Sequence, residues 1–272
     1  IDTDDFAANA TIDGGDGDDT LEIDSDNTGA VTQFTMSGFE TIKITDTVAD
    51  QIISGKNFSG VTKILAADDI GNNASFVNMG ASDLTIELNG AAAAADAEVV
   101  SSDHTGATTL NYTASKATAK KGGTSSATAD TNDNEVVVAG TSALTVNAGE
   151  YTKATGAITA AAATSVTLNV ASGQDDDENE KTDFAAKITA AKATSVAVNV
   201  SGTFSGEVEA ATASSFTVES TGTINGATID VDAATSGEIT TGDYTESLKV
   251  EGAAIEVLGI TSGGVLDIDD TT

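Results

Sequence analysis

The sequence has no cysteine, which removes disulfides, thiolate metal sites and cysteine nucleophiles together. Arginine and tryptophan are missing too. All 11 basic residues are lysines, set against 43 Asp and Glu, for a formal net charge of −32. Phosphate binding needs clustered Lys and Arg to displace counterions, so no nucleic-acid partner is expected. An anionic membrane surface would repel the chain for the same reason. No apolar run approaches the roughly 18 residues that cross a bilayer, and no membrane insertion is expected. Histidine occurs once, at His104, which excludes a histidine-rich zinc site or an HExxH protease. His104 lies in SSDHTG, a polar stretch that reads as a surface turn.

A catalytic constellation is equally hard to build. Solenoid polysaccharide lyases pair calcium with a basic catalytic residue, usually arginine, and sugar-binding grooves favour aromatic platforms. Aromatics are only 4% of this chain. Carboxylate pairs are so frequent that none stands out for glycoside hydrolysis. The glycines around Gly14 are flanked by aspartates that would repel a phosphate. No catalytic residue is assigned, and the chain does not read as an enzyme.

What is present is acidic and finely repeated. Hydrophobic residues make up 39%, mostly Ala and Val with scattered Ile and Leu, and such small side chains fill a narrow core. So negative a charge opposes compaction and calls for dilute spacing, high salt or bound cations. The chain begins at Ile1 without a methionine and neither end resembles a cleavable signal, so it is expected to be a piece of a longer protein.

Phe184 to Thr203, FAAKITAAKATSVAVNVSGT, aligns without gaps on Phe204 to Thr223, FSGEVEAATASSFTVESTGT. Phe184 falls over Phe204, Ile188 over Val208, Val196 over Phe216 and Val198 over Val218, with Ile224 next in register after Phe204. Val136 with Leu144 and Ile158 with Val166 keep the same step, the longer interval after Val170 being the insertion GQDDDENEKTD from Gly173 to Asp183. In the first half, Ile42, Ile64 and Ile86 mark a related unit. Val166, Leu168 and Val170 alternate with Thr167 and Asn169, the periodicity of a strand with one buried face. A unit of about 20–22 residues cannot bury that face alone and must stack on its neighbours. With a rise of about 3.3 Å per residue it can circle a narrow coil, and coils stacked about 4.8 Å apart give parallel strands. The expected fold is all-β, a right-handed parallel β-solenoid. Antiparallel β-sandwich domains of short strands are the alternative. Three regions follow: N-terminal coils over 1–90, an irregular low-complexity insertion over 91–132 in which only Leu110 and Tyr112 look strand-like, and C-terminal coils over 133–272.

One segment carries chemistry. Gly14-Gly15-Asp16-Gly17-Asp18-Asp19-Thr20-Leu21-Glu22 fits the nonapeptide G-G-x-G-x-D-x-U-x, with Leu21 as the apolar anchor of the next strand. Glycines let the backbone turn with its carbonyls inward, and Asp19 supplies a hard anionic oxygen. Calcium takes six to eight such oxygens in a forgiving geometry. Asp4 lies about one coil earlier and Asp24 begins another D-x-D-N-x-G turn. An acidic surface turn without an ion is the bland reading. The runs Asp175 to Glu180 and Asp267 to Asp270 read as solvated loops.

The stretch ATIDGGDGDDTLEI followed by MSGFETIKIT resembles the calcium-binding repeat-in-toxin type surface-layer (S-layer) proteins of Gram-negative bacteria, most sharply over Asp2 to Thr47. The resemblance implies Ca2+ coordination by Gly14, Asp16, Gly17, Asp18 and Asp19. It also implies type I secretion, folding in extracellular calcium, and self-association into a lattice on the cell exterior, anchored to lipopolysaccharide through regions outside this chain. The expected function is that of a structural subunit, with a calcium-stiffened extracellular adhesin or stalk as the alternative. An ice-binding threonine array is disfavoured, because Thr167, Ala197 and Thr217 occupy equivalent outward positions.

Overall fold

Alternating apolar and polar residues leave each short segment one face to bury, and the chain buries them all along one axis. The computed structural model describes residues 11–23, 35–44, 51–56, 58–67, 73–89, 99–113, 130–172, 182–242, 247–252, 257–262 and 266–269. Among them are 28 strands and no helix. The ladders are parallel from Thr11–Asp13 on Thr35–Ser37 to Leu248 on Leu266, so the fold is a parallel β-solenoid and the antiparallel sandwich is excluded.

One long sheet takes a strand from each of eleven coils: Thr20–Ile23, Thr41–Ile44, Lys63–Ala67, Leu84–Asn89, Thr108–Thr113, Leu144–Ala148, Ser165–Val170, Ser195–Val200, Ser215–Ser220, Ser236–Thr241 and Val257–Ser262. A second, 14-stranded sheet includes Gln51–Ser54, Val99–Ser102, Glu135–Val137, Ile158–Thr159, Lys187–Thr189 and Glu207–Glu209. A three-stranded sheet, Thr11–Asp13, Thr35–Ser37 and Phe58–Ser59, covers a side of the first coils.

The repeat alignment is the stacking register. Phe184 pairs Phe204, Ile188 pairs Val208, Val196 pairs Phe216, and Ile42 pairs Ile64. Inside the long sheet one column runs through Ile42, Ile64, Ile86, Leu110, Val146, Leu168, Val198, Val218 and Ile239, each fully buried. Each aliphatic side chain so buried stabilises by about 1.5–3 kcal/mol relative to exposure. Coil size is held by alanine at the tightest corner: Ala163, Ala193 and Ala213 donate their N–H to Ala160, Ala190 and Ala210, and all six are buried. Phe216 is the one ring in a column of smaller residues, and its neighbour Gly237 yields the space. A Cβ on Gly237 would lie 2.2 Å from the ring's Cζ.

The stretch 91–132 contains Val99–Ser102 and Thr108–Thr113, which continue the second and long sheets in register with the coils on either side. The chain between described strands lengthens at one corner after two strands of the long sheet: 114–129 separate Thr108–Thr113 from Asp130–Asn132, and 171–182 separate Ser165–Val170 from Asp183–Phe184. Val170 still pairs Val200 across that last interval.

Candidate metal centre at the first glycine turn

Gly14 to Asp19 links Thr11–Asp13 of the short sheet to Thr20–Ile23 of the long one. Gly15 and Gly17 have φ of 94° and 134°, conformations that an L side chain strains. Gly14 is glycine for want of space, since a Cβ there would stand 2.1 Å from the carbonyl oxygen of Gly38 in the next coil. Its N–H donates to the Ser37 carbonyl at 2.9 Å. Asp13 Oδ1 accepts from Gly15 N–H at 3.3 Å and from the Ser37 hydroxyl at 3.1 Å. Asp19 N–H donates to Glu40 Oε2 at 2.9 Å, and the Asp19 carbonyl accepts from Glu40 and Thr41 N–H at 3.1 Å each.

These bonds use the N–H groups of Gly14, Gly15 and Asp19 and the Asp19 carbonyl, and leave one shielded acidic oxygen over. Asp19 Oδ2 is shielded from solvent with no hydrogen-bond partner, 3.8 Å from where a Cβ on Gly17 would stand. An unpaired carboxylate oxygen in a shielded position is costly unless a proton or cation accompanies it. Asp16, Gly17 and Asp18 are exposed. Among the described residues no group of three or more His, Cys, Asp or Glu is placed to hold a metal, so a cation at this turn would draw on carbonyl oxygens as well as carboxylates. Asp4 and Asp24 lie outside the described residues, as do Asp175 to Glu180 and Asp270.

Asp13 and Glu40 were not singled out by sequence. Glu40 reaches the turn from the neighbouring coil because Thr20, Leu21, Glu22 and Ile23 pair Thr41, Ile42, Lys43 and Ile44. Stacking Asp19-Thr20-Leu21 on Glu40-Thr41-Ile42 would have found it.

His104 is not on the surface. Only 1% of it is exposed, because its stretch continues the core column of the coil. Its Nδ1 lies 3.0 Å from Ser102 Oγ and its Nε2 2.8 Å from Thr108 Oγ1, which lies 2.8 Å from Thr141 Oγ1. Thr141 in turn lies 2.9 Å from the Gly106 carbonyl. Each hydroxyl hydrogen finds an acceptor when the ring is neutral with its proton on Nε2. Burial lowers the His104 pKa, against the opposing pull of Asp103 and Asp83. The ring nitrogen away from Ser102 faces the Thr108 hydroxyl and not a carboxylate, and the Asp103 carboxylate accepts the N–H groups of Asn78 and Met79 at 2.7 and 3.0 Å.

No protein-family model matches the chain, and neither does any curated protein or solved structure.

Proposed function

We propose that the chain is a structural subunit of a secreted, calcium-dependent bacterial surface layer, self-assembling on the cell exterior. The observation that carries the calcium part is the shielded, partnerless Asp19 Oδ2 inside a turn that glycines hold open. A cation there would meet Asp19, with Asp16 and Asp18 from the exposed side and carbonyls of Gly14 and Gly17 completing the shell. Neighbouring Glu40 adds negative potential from the adjacent coil. A net charge of −32 supplies the general demand for cations. A coil with an aliphatic interior and hydroxyl, amide and carboxylate exterior suits a scaffold.

Calcium bound only by the folded state stabilises it by RT ln(1 + [Ca]/Kd), about 2.7 kcal/mol at a hundredfold excess over Kd. The expected result is a melting temperature that falls when chelator is added. Asp19→Ala removes most of that difference, whereas Asp267→Ala does not. Electron microscopy with and without calcium tests the assembly: ordered sheets support a surface layer, isolated rods a stalk, and calcium-indifferent monomers sink both.

A further inference from the structure

In a chain of net charge −32, one broad surface carries no net charge among the described residues. It is the outward face of the long sheet across eight strands, from Thr20–Ile23 to Ser195–Val200. Two carboxylates point outward there and each meets a lysine: Glu22 lies 3.3 Å from Lys43, and Glu87 lies 2.6 Å from Lys63. Past Glu87 the outward positions bear only Thr, Asn, Ser and Ala. Asn111, Asn147, Asn169 and Asn199 stack into a ladder, the Nδ2 of each of the last three donating at 2.8 Å to the Oδ1 of the preceding one although they lie 36, 22 and 30 apart in sequence. By contrast, the second sheet sets Glu209, Asp230 and Glu251 on successive rungs. Burial, Asp232 and those two glutamates raise the pKa of Asp230.

We propose that this neutral face of the long sheet packs against the same face of a second copy, an inference that rests on the lattice reading and assigns its contact surface. Two strongly acidic bodies approach most easily where neither carries net charge. Asn147 and Asn169 each use one donor and one acceptor within the ladder, Asn111 only an acceptor and Asn199 only a donor, so every ladder asparagine keeps at least one of each for a partner. A copy of the same face offers the complementary groups in the same number, as a two-fold contact requires. Eight strands about 4.8 Å apart and about five residues long present on the order of 600 Å². A standard stable interface uses roughly 800 Å² per partner, so one contact is weak and reversible and gains strength by repetition.

The absence of cysteine makes the contact directly testable. Thr109→Cys places a single thiol near the middle of the face, and Thr159→Cys places one on the second sheet as a control. Under calcium conditions that give ordered sheets by electron microscopy, a short bis-maleimide is expected to convert most of the Thr109→Cys protein to covalent dimer and little of the control. The double variant Thr109→Asp, Thr167→Asp leaves the asparagine ladder intact. It is expected to lower self-association by at least tenfold in sedimentation while far-UV circular dichroism stays unchanged. Ordered sheets that form without Thr109 cross-links and tolerate both aspartates would overturn the face and leave the lattice reading standing. Monomers at every concentration of calcium and protein overturn both. Cross-linked dimers without sheets support the face alone.

Discussion

Protonating His104 would turn the Nδ1 acceptor that faces Ser102 into a second donor and charge a ring with almost no access to water. The folded chain therefore holds this group neutral to lower pH than the unfolded chain does, where its pKa is about 6.5. The stability that depends on this is fully present above about pH 6.5 and is lost as pH falls toward the lowered folded value. Asp103 and Asp83 moderate the effect. Denaturant unfolding from pH 7.5 to 5.5 is expected to show falling stability, and His104→Asn to flatten that slope. A slope unchanged by the substitution would place the titration elsewhere. A second residue-scale prediction concerns Phe216 and Gly237. Gly237→Ala drives a methyl into the ring and is expected to cost about 1–3 kcal/mol. Phe216→Leu should recover most of that loss, a coupling that a double-mutant cycle measures.

At the scale of strands and coils, the second half of the molecule could be read from its sequence because nearly every inward position described from Phe184 to Ile239 is apolar, Ser220 being the polar exception, and the turns after Ile188 and Val208 are spelled nearly alike. Matching Phe184 to Phe204 amounted to stacking one coil on the next. The coil through His104 obeys the same geometry with different chemistry. Ser102 faces inward beside Phe76 and Thr108 between Leu84 and Leu144, with His104 buried between them, and Asn132, which pairs Ala154, and Asn134 are buried one coil later. Hydrogen bonding replaces apolar contact there, so the apolar alternation that marks a strand is absent although the strand is present. The glycine turn divides in the same way. Gly14 to Asp19 is local in sequence and legible. Glu40 arrives through lateral pairing, which a linear motif does not encode. The same register predicts the outcome of a deletion. Removing residues 172–181 joins Val170-Ala171 to Thr182-Asp183-Phe184, which copies the spacing of Val200-Ser201-Gly202-Thr203-Phe204. Thr182 already accepts the Thr203 N–H as Gly202 accepts that of Thr223. The shortened chain is expected to keep its far-UV circular dichroism spectrum and to melt no lower than the parent. Loss of cooperative melting would mean that the insertion supports the coil.

For the molecule as a whole, contacts run between adjacent coils, so stability is close to a sum of coil and interface terms along one axis. Charge acts along that axis unevenly. Glu22 with Lys43 and Glu87 with Lys63 cancel on one face, while Lys187 bridges Glu207 and Glu209 on another, at 2.9 and 2.6 Å, within a more acidic neighbourhood. Exposed pairs of this kind contribute little each, and their arrangement decides which surfaces can meet more than how firmly the chain folds. The shared corner at which the chain lengthens has a further result. Added residues there cost only about 0.6 kcal/mol per doubling of loop length, and the ladder on either side keeps its register. That edge is a margin where evolution or an engineer can splice in passenger peptides while the sheets on either side keep their pairing.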